Sequence, residues 1–353
     1  MKIIHAADVH LGAKMDSKFP KELAIKRREE LRNTFRRMVD YANANGVKVI
    51  ILAGDVFDSD SPFNKDKEFF HSVVRNNGGI DFLYLRGNHD IEADYSDEDI
   101  PNLKRFTDSW TAYTYGSIDI WGIEITAENA TSMYSTLSLE KGKTNIVMLH
   151  GQVGDTSGKD RINLKKLRDK NIDYLALGHI HKPQSGKLDD RAEYAYSGTL
   201  EGRGFDETGE HGFILLDVGE KIERTFIPFS DRQIIEQDVD VSDVKEAYSA
   251  SLKVQSCVKF DKRNIYRINL VGETELSIDD LSSDVATYLS GKCLYIDVKD
   301  KTVKKLDIKA YENDASLKGE FVRLVYSSAD YTEDEKKRII SIGLKALNGG
   351  EIE

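Results

Sequence analysis

The 353-residue sequence has little cysteine and little proline, and it contains no long apolar run. There are 2 cysteines, Cys257 and Cys293, and 5 prolines. So few cysteines exclude a disulfide framework. The two could form one bridge, but we expect two buried thiols in a reducing compartment. Apolar residues make up 40% of the chain and charged residues 31%, which excludes a collagen-like or largely disordered protein.

No segment of the sequence resembles a membrane span or a secretion signal. The longest apolar stretches, such as residues 47–53 with Lys48 among them, fall far short of the roughly 18 residues that a membrane helix needs. The N-terminus reaches His5 and Asp8 before the apolar region of a signal peptide could form. We therefore expect a cytoplasmic protein that makes no membrane contact.

Basic residues are in the minority. The 50 lysines and arginines stand against 61 aspartates and glutamates, so the formal net charge is −11. Binding to nucleic acid therefore cannot depend on a globally basic surface. Two divalent cations beside a small basic patch could still receive phosphates. Net charge alone does not decide the class of substrate.

Short apolar runs alternate with longer segments of helical periodicity in the first part of the chain, which indicates an α/β fold. The predicted strands there are 2–7, 47–53 and 82–85, and the predicted helices are 24–44 and 65–76. Further strands follow with little helix between them, at 118–125, 145–149, 174–177, 192–197, 213–218 and 222–229. We interpret these as a second sheet packed on the first, giving a four-layer sandwich of helix, sheet, sheet and helix.

The pattern of predicted helices and strands changes after Pro228. Residues 231–310 alternate helix and strand patterns without any catalytic cluster, which indicates a small α+β domain. Residues 314–326 and 332–347 then show the periodicity of two helices, and Thr332 and Glu335 have the spacing of a capping box. We predict a core at 1–230, a capping domain at 231–310 and a helical segment at 311–353.

Five clusters of metal-ligand residue types lie where predicted strands end. Five of the eight histidines belong to these clusters. In chain order the clusters are Asp8-Val9-His10, Gly54 to Asp58, Gly87-Asn88-His89-Asp90, His150-Gly151 and Gly178-His179-Ile180-His181. Open α/β sheets bind ligands at the carboxyl ends of their strands, so these clusters predict one shared site.

The spacing within the clusters suits chelation. Asp8 and His10 are two residues apart, as are His179 and His181, so the members of each pair point to the same side of a sheet. A carboxylate such as Asp55 can bridge two ions. The seven candidate ligands suffice for two ions if one carboxylate is shared, and they are Asp8, His10, Asp55, Asn88, His150, His179 and His181. Nitrogen and oxygen donors without sulfur favour manganese, iron or zinc.

A pair of such ions, about 3.5–4 Å apart, can activate a water and hold phosphate oxygens during in-line attack. The clusters therefore predict hydrolysis of phosphoesters. His89 follows the candidate ligand Asn88, and it can face the leaving oxygen as a cation or a proton donor. Asp90 could orient that imidazole.

The five motifs, in this order, resemble those of the calcineurin-like metallophosphoesterase superfamily. Within it the chain looks like the SbcD-type DNA-repair exonucleases over roughly residues 1–230. This narrower resemblance rests on residues 2–12 at the start of the chain, on Gly54 to Asp58 followed by Pro62, and on the segments 196–199 and 209–212. The last part of the chain, 323–351, looks like the YhaO branch.

The resemblance implies a manganese-dependent DNA nuclease with two bound Mn²⁺ ions. Asp8, His10, Asp55 and His181 would hold one ion. Asp55, Asn88, His150 and His179 would hold the other, with His89 as the catalytic histidine. It also implies a coiled-coil ATPase partner of the SbcC type, docked after the capping domain, and a homodimer. Some relatives carry histidine where this chain has Asp58, so the balance of exonuclease and endonuclease activity does not carry over.

Other charged groups are weaker candidates for function. The run from Lys26 to Arg37 shares its helix with Glu29 and Glu30, so we expect a solvated, ion-paired face. Lys159 and Arg161 open a basic stretch with fewer acids, and they are candidates for nucleic-acid contact. Among the remaining histidines, we expect His5 in the core, His71 on the surface and His211 in a turn.

Two alternatives to a DNA nuclease stay open. One is a phosphoesterase acting on nucleotides or other small phosphoesters, which would need side chains that close over the metals. The other is a scaffold that keeps its metals only for structure. His89 and Asp90 argue against a scaffold, because a structural metal site needs neither.

Overall fold

The structure is a computed structural model that describes residues 1–59, 61–89, 99–274, 281–304 and 308–347. The chain forms two compact units, Met1–Ile234 and Ile235–Glu353. The predicted domain bounds, 1–230, 231–310 and 311–353, stay predictions. None of the described helices is long and apolar enough to cross a membrane.

The first unit alternates strands and helices at its start and consists mainly of strands later. Its helices are α1 Lys21–Ala44, α2 Asn64–Arg75 and the short α3 Met133–Thr136. Its strands are β1 Lys2–Ala6, β2 Val49–Ala53, β3 Asp81–Leu85, β4 Leu103–Arg105, β5 Thr111–Tyr115, β6 Ile118–Gly122, β7 Thr144–His150, β8 Gln152–Gly154, β9 Arg161–Asn163, β10 Tyr174–Gly178, β11 Gln184–Lys187, β12 Glu193–Tyr196, β13 Gly212–Val218 and β14 Ile222–Pro228.

Two six-stranded sheets dominate this unit. The first has the order β14-β13-β1-β2-β3-β4 and the second the order β11-β12-β10-β7-β6-β5. The strands β1 to β4 run parallel, as do β6, β7, β10 and β12. Parallel strands separated by α1 and α2 account for the predicted α/β alternation.

The assignment of the last two strands to the second sheet was wrong. The predicted strands 213–218 and 222–229 correspond to β13 and β14, and both belong to the first sheet. β13 pairs antiparallel with β1 in a register that places Lys2 opposite Asp217. Without β13, the edge of β1 would expose unpaired backbone groups. Apolar periodicity identifies such a strand but does not reveal its partner.

The main core lies between the two sheets. Ile3, Ile51 and Leu83 of the first sheet pack in one cluster with Ile146 and Ala176 of the second. Helices α1 and α2 cover the outer face of the first sheet with buried residues such as Phe35 and Phe70. The outer face of the second sheet is covered by α3, a 3₁₀ turn at Leu164–Lys166 and their loops. The unit is thus the predicted four-layer αββα sandwich.

Two histidines outside the motifs are buried. His5 bonds Tyr174 Oη through Nδ1 at 2.9 Å and the carbonyl of Leu177 through Nε2 at 3.2 Å, as expected for a core histidine. Burial lowers the pKa of His5 to about 3. His71 was predicted on the surface, and this was wrong, because it lies on the buried face of α2 beside Phe70.

The basic run on α1 contains a fully buried arginine. Arg27 is 0% exposed, and its guanidinium donates to Glu30, to Glu201 and to the carbonyl of Gly202. Arg232 reaches the same Glu30 carboxylate from residues just before the unit ends. The expectation of a solvated face therefore fails for Arg27, because two of its partners, Glu201 and Gly202, lie far away in the sequence. Arg28, the next residue, forms a more exposed pair with Asp16.

The second unit is a small α+β fold. Its strands are β15 Ile234–Asp240, β16 Ile265–Val271, β17 Glu273–Thr274, β18 Tyr295–Asp300 and β19 Val303–Lys304. Its helices are α4 Ala247–Cys257, α5 Leu281–Leu289, α6 Leu317–Ser327 and α7 Glu333–Leu347. A sheet of order β15-β16-β18 shares one core with α4 and α5.

The expectation of two buried thiols was wrong, because Cys257 is exposed and Cys293 half-buried, and both are free.

The terminal helices match their predicted positions closely. The capping box at the start of α7 is present, since the Thr332 amide donates to Glu335 Oε2 and the Glu335 amide to Thr332 Oγ1. The two helices pack tightly where Gly343 meets Phe321, because a Cβ at position 343 would lie 2.2 Å from the phenyl ring. Val322 and Ile340 are fully buried, so part of each helix belongs to the core of this unit.

Arg27→Ala should destabilise the protein by about 3–5 kcal/mol, because it leaves the buried carboxylates of Glu30 and Glu201 without this charge partner. The matched control is Arg28→Ala, which breaks a surface ion pair and should cost about 0–1 kcal/mol. Urea unfolding of both variants measures the difference. Equal losses of stability would show that the buried network contributes no more than the surface pair.

Candidate metal centre

The five predicted motifs lie at the carboxyl ends of β1, β2, β3, β7 and β10. β1 to β3 belong to the first sheet and β7 and β10 to the second. Backbone hydrogen bonds join the first two loops, from the Asp8 amide to the Gly54 carbonyl at 3.0 Å and from the His10 amide to the Asp55 carbonyl at 2.9 Å. The ends of both sheets therefore converge on one site.

The backbone at this site is strained. Asp8, His10 and Asp55 have φ angles of 51°, 52° and 53°, and His179 has a φ of 101°. Residues other than glycine rarely adopt such angles, and each costs about 1–3 kcal/mol. The surrounding packing leaves little choice. A Cβ at position 87, for example, would lie 2.1 Å from Asp55 Oδ1.

Asp8, His10 and His181 form the first of two compact groups. Their donor atoms all lie within 4.8 Å of one another. The Nε2 atoms of His10 and His181 face each other at 3.3 Å. The Nδ1 atom of each ring is close to a carboxylate, 3.0 Å from Asp58 Oδ1 for His10 and 2.8 Å from Glu207 Oε1 for His181.

Asp8, Asp55 and His150 form the second group, again within 4.8 Å. Asn88 Oδ1 lies 3.0 Å from both His150 Nε2 and His179 Nδ1, so these side chains join the same group. His150 Nδ1 lies 3.0 Å from the Ala53 carbonyl, which fixes Nδ1 as the hydrogen-bond donor. Nε2 is then the nitrogen that can act as a metal ligand.

Asp8 is the residue common to both groups, whereas Asp55 was predicted to be shared. Asp55 also faces both, since its Oδ2 lies 3.4 Å from His150 Nε2 and 3.9 Å from His10 Nε2. The other Asp55 oxygen accepts a hydrogen bond from the His89 amide at 2.9 Å. That Asp55 is the carboxylate that bridges two ions stays a prediction.

Asp55 and His150 are an ion pair in the metal-free protein. Burial raises the pKa of Asp55, but the hydrogen bond and charge of His150 and the charge of His10 hold it well below its usual range. Burial lowers the pKa of His150, but Asp55 and Asp8 outweigh this effect and raise it to about 9. A metal ion bound by His150 would therefore displace a proton.

The other ligand types are also perturbed. Burial raises the pKa of Asp8 to about 6, although the charges of His150 and His181 oppose it. Burial lowers the pKa of His10 to about 4, although Asp58 opposes it. Burial and the charge of His150 also lower the pKa of His179. Two neutral imidazoles and two buried carboxylates therefore share this site.

These residues fit divalent metal ions. Asp8 is 0% and Asp55 1% exposed, and two carboxylates so close together need positive charge nearby. His181 Nδ1 lies 2.8 Å from Glu207 Oε1, and His10 Nδ1 lies 3.0 Å from Asp58 Oδ1, so a proton on each Nδ1 would leave each Nε2 with a lone pair. Two lone pairs then point at each other, as they would around a shared cation. The nitrogen and oxygen donors suit manganese, iron or zinc.

His89 lies at the solvent side of the cluster. Its side chain is exposed, and its ring is 5.2 Å from that of His10 in an edge-to-face contact. Asp90, predicted to orient this imidazole, lies outside the described residues. A cavity of about 560 Å³ borders Asn88 and His150. Its other lining residues include Arg86, Glu124 and Lys159.

The two candidates for nucleic-acid contact lie close to each other. Lys159 and Arg161 are both exposed, and only Lys159 lines the cavity beside the cluster. Arg161 starts β9, and its guanidinium is 3.5 Å from Thr156 Oγ1. Lys159 therefore lies beside the cavity that also borders the candidate ligands Asn88 and His150.

Sequence reasoning missed three residues that hold the site together. Arg203 and Glu207 contact Asp58 and His181, and they lie beyond the last motif among many other charged residues. The Tyr196 hydroxyl bonds Gly151 and Val153 and so holds the loop after His150. In the sequence, Tyr196 stands out only as part of the family segment 196–199. The spacing of Arg203 and Glu207, four residues apart between glycines, is the one signal in the sequence for that pair.

Comparison with known proteins agrees with this geometry. The family described as calcineurin-like phosphoesterase matches residues 1–183. The DNA double-strand break repair protein Mre11 of Sulfolobus acidocaldarius is 23% identical, with 97% of this chain and 94% of that protein covered. The Mre11 protein of Saccharolobus solfataricus is 24% identical, with 100% and 96% covered. The uncharacterized metallophosphoesterase YhaO of Bacillus subtilis is 29% identical, with 62% and 57% covered.

The family match covers more than half of the chain, and it ends just after the last of the five motifs. The strand ends that gather the ligand types are thus part of the shared domain. The chain belongs to the calcineurin-like phosphoesterase family and is a metal-dependent hydrolase of phosphoesters.

Proposed function

We propose that the protein is a manganese-dependent DNA nuclease that hydrolyses phosphodiester bonds with two metal ions. The observation that carries the proposal is the convergence of seven ligand-type side chains from five strand ends. Relatives named as DNA double-strand break repair proteins, aligned over almost the whole chain, support DNA as the substrate.

The proposed ligand sets are the two groups with Asp55, and not Asp8, as the shared carboxylate. Asp8, His10, Asp55 and His181 would hold one ion, and Asp55, Asn88, His150 and His179 the other. When bound, the ions activate water and neutralise the phosphate oxygens.

The chain's own residues do the rest. Asp58, Glu207 and the Ala53 carbonyl orient three of the imidazoles. His89, exposed beside His10, gives a proton to the leaving sugar oxygen, and the predicted part of Asp90 is to orient it.

The cavity beside the cluster favours a second candidate, a phosphoesterase for nucleotides or similar small molecules. Its volume of about 560 Å³ lies within the usual range of small-molecule sites. Four carboxylates, those of Asp108, Glu124, Glu128 and Asp160, line it against Arg86 and Lys159. This acidic lining disfavours nucleotides whose di- or triphosphate groups would lie inside the cavity.

Cleavage assays separate the two candidates. The purified protein with Mn²⁺ is incubated with end-labelled single-stranded, double-stranded and hairpin DNA, beside nucleotides and a nitrophenyl phosphodiester. We expect cleavage of DNA, and the product lengths give polarity. Asp55→Ala serves as the control for contaminating nucleases. Turnover of small phosphoesters without any DNA cleavage would replace the proposal by the second candidate.

Asp55→Ala should remove more metal than Asp8→Ala or His150→Ala, because Asp55 is the proposed ligand of both ions. Metal content per chain, measured by elemental analysis after loading with Mn²⁺, tests the order. If Asp8→Ala loses both ions while Asp55→Ala keeps one, Asp8 is the bridging ligand instead, as its place in both groups allows.

His89→Ala should keep the fold and both metals but lose about 10² to 10⁴ in the rate of DNA cleavage, as expected for a lost general acid. A nitrophenyl phosphodiester has a good leaving group that needs no proton, so its hydrolysis should suffer less. Rates on both substrates are compared at saturating Mn²⁺. Equal losses would mean that His89 positions the phosphate and does not protonate the leaving group.

Lys159→Ala should weaken DNA binding and lower the slope of log affinity against log salt by about 1, because one phosphate contact is lost. Lys187→Ala, which removes an exposed lysine paired with Asp190, is the matched control. DNA binding by both variants is measured in the His89→Ala background, in which cleavage is slowed. An unchanged slope would remove Lys159 from the DNA interface.

We also propose that α6 and α7 dock the coiled-coil ATPase of the SbcC type that the family resemblance implies. One stripe of these helices is buried, while Leu317 and Leu324 are 72% and 63% exposed. Ile342 and Leu347 on α7 are exposed too. An apolar stripe of this kind suits a partner helix. The predicted homodimer and cytoplasmic location stay predictions.

Changing Leu317 and Leu324 together to glutamate should abolish co-purification with the ATPase while the unfolding midpoint and DNA cleavage stay unchanged. The matched control is Leu252→Glu, which alters an exposed leucine on α4 of the same unit. Pull-down with the co-expressed ATPase measures the effect. Retained binding by the double variant would place the docking surface elsewhere.

A further inference from the structure

Three charged side chains connect the outer nitrogens of His10 and His181. Asp58 Oδ1 lies 3.0 Å from His10 Nδ1 and accepts a bond from Arg203 Nη1 at 2.9 Å. Arg203 Nη2 donates to Glu207 Oε1 at 2.6 Å, and the same oxygen lies 2.8 Å from His181 Nδ1. The arginine thus joins two carboxylates, each of which meets one imidazole.

The segment that carries Arg203 and Glu207 is itself held rigidly. Glu201 is fully buried and accepts bonds from Arg27, from Thr34 Oγ1 at 2.7 Å and from the Asp231 amide at 2.6 Å. The Arg203 amide donates to Glu207 Oε2 at 2.8 Å. Glu207 is therefore fixed to its own loop, and that loop is fixed to α1.

The His181 ring has two competing neighbours at one nitrogen. Its Nδ1 lies 2.8 Å from Glu207 Oε1 and 3.0 Å from Arg203 Nη2. A carboxylate requires a proton on Nδ1, whereas an arginine donor requires a lone pair there. Only the first arrangement frees Nε2, which faces His10 Nε2, to act as a ligand.

We propose that Asp58, Arg203 and Glu207 are positioning residues that fix both imidazoles as Nδ1–H tautomers, so that both Nε2 lone pairs face one metal position. Glu207 acts on His181 and Asp58 on His10, while Arg203 balances the charge of the two carboxylates and holds them at a fixed separation. The proposal rests on the proposed metal-dependent function, which assigns both histidines to the same ion.

The tautomers can be observed without metal or substrate. Long-range ¹H–¹⁵N spectra of the metal-free full chain, labelled at histidine, report which ring nitrogen carries the proton. We expect Nδ1–H for His10 and His181 in the wild type. In Glu207→Ala, Arg203 becomes the nearest partner of His181 Nδ1, so the proton should move to Nε2. In Arg203→Ala, Glu207 remains and the Nδ1–H form should persist.

Titration with Mn²⁺ gives a second readout. Loss of such a supporting partner typically weakens metal binding about 10- to 100-fold. Glu207→Ala and Asp58→Ala should each weaken the binding of one of the two ions by this factor. Removing Arg203 as well as Glu207 should restore part of the affinity, since the competing donor is gone. Arg191→Ala is the matched control, because it breaks an arginine–carboxylate pair with Asp173.

Glu207→Gln keeps the shape of the side chain and an acceptor oxygen, so it serves if Glu207→Ala does not fold. We expect it to keep the Nδ1–H tautomer and to lose less affinity than the alanine variant. An Nδ1–H tautomer with wild-type Mn²⁺ affinity in Glu207→Ala, or wild-type affinity in Glu207→Gln if only that variant folds, overturns the proposal.

Neither readout involves DNA. Altered tautomers and affinities in a protein that cleaves no DNA would leave the positioning residues in place and remove the proposed substrate. DNA cleavage by variants whose tautomers and Mn²⁺ affinities are unaltered would support the proposed substrate and overturn the positioning role.

Discussion

The carboxylates of Asp8 and Asp55 lie side by side in the protein interior, and the surroundings compensate for their charge. Each accepts backbone hydrogen bonds, Asp8 from His179 and Asp55 from His89. The nearest oxygen of each also lies within 4.8 Å of an imidazole nitrogen. Because a buried pair of like charges is costly, the strand ends, the loops and the histidines must all come together for the site to exist. The strained φ angles at Asp8, His10 and Asp55 persist because this packing determines them.

Much of this arrangement could be predicted from the sequence. The α/β alternation, the five motifs and the convergence of their residues at strand ends follow from apolar periodicity and from the types of residue placed after each run. Such reasoning succeeds because carboxyl ends of parallel strands meet at one edge, so local order along the chain translates into proximity in space.

The failures share a physical cause. Apolar periodicity does not reveal that β13 pairs with β1, since an alternating strand can cover any free edge. The burial of Arg27 depends on Glu201, 174 positions later, and the role of Arg203 depends on Asp58, 145 positions earlier. Charged residues look solvated in a sequence until a distant partner neutralises them. The prediction of a surface position for His71 failed for a similar reason. Its helix is buried on a wider face than its apolar residues alone indicate.

The pairing of β13 with β1 also determines when the site can assemble during synthesis. The second residue of the chain lies opposite Asp217, so the first strand emerges from the ribosome long before its neighbour on that side. Until then β1 has a free edge, and Glu207, which contacts His181, has not been made. Contacts of such long sequence separation slow folding and leave strand edges open to other chains. A nascent chain that ends near residue 183 would carry all five motifs but neither this strand nor this carboxylate, so metal acquisition should come late in the life of the growing polypeptide.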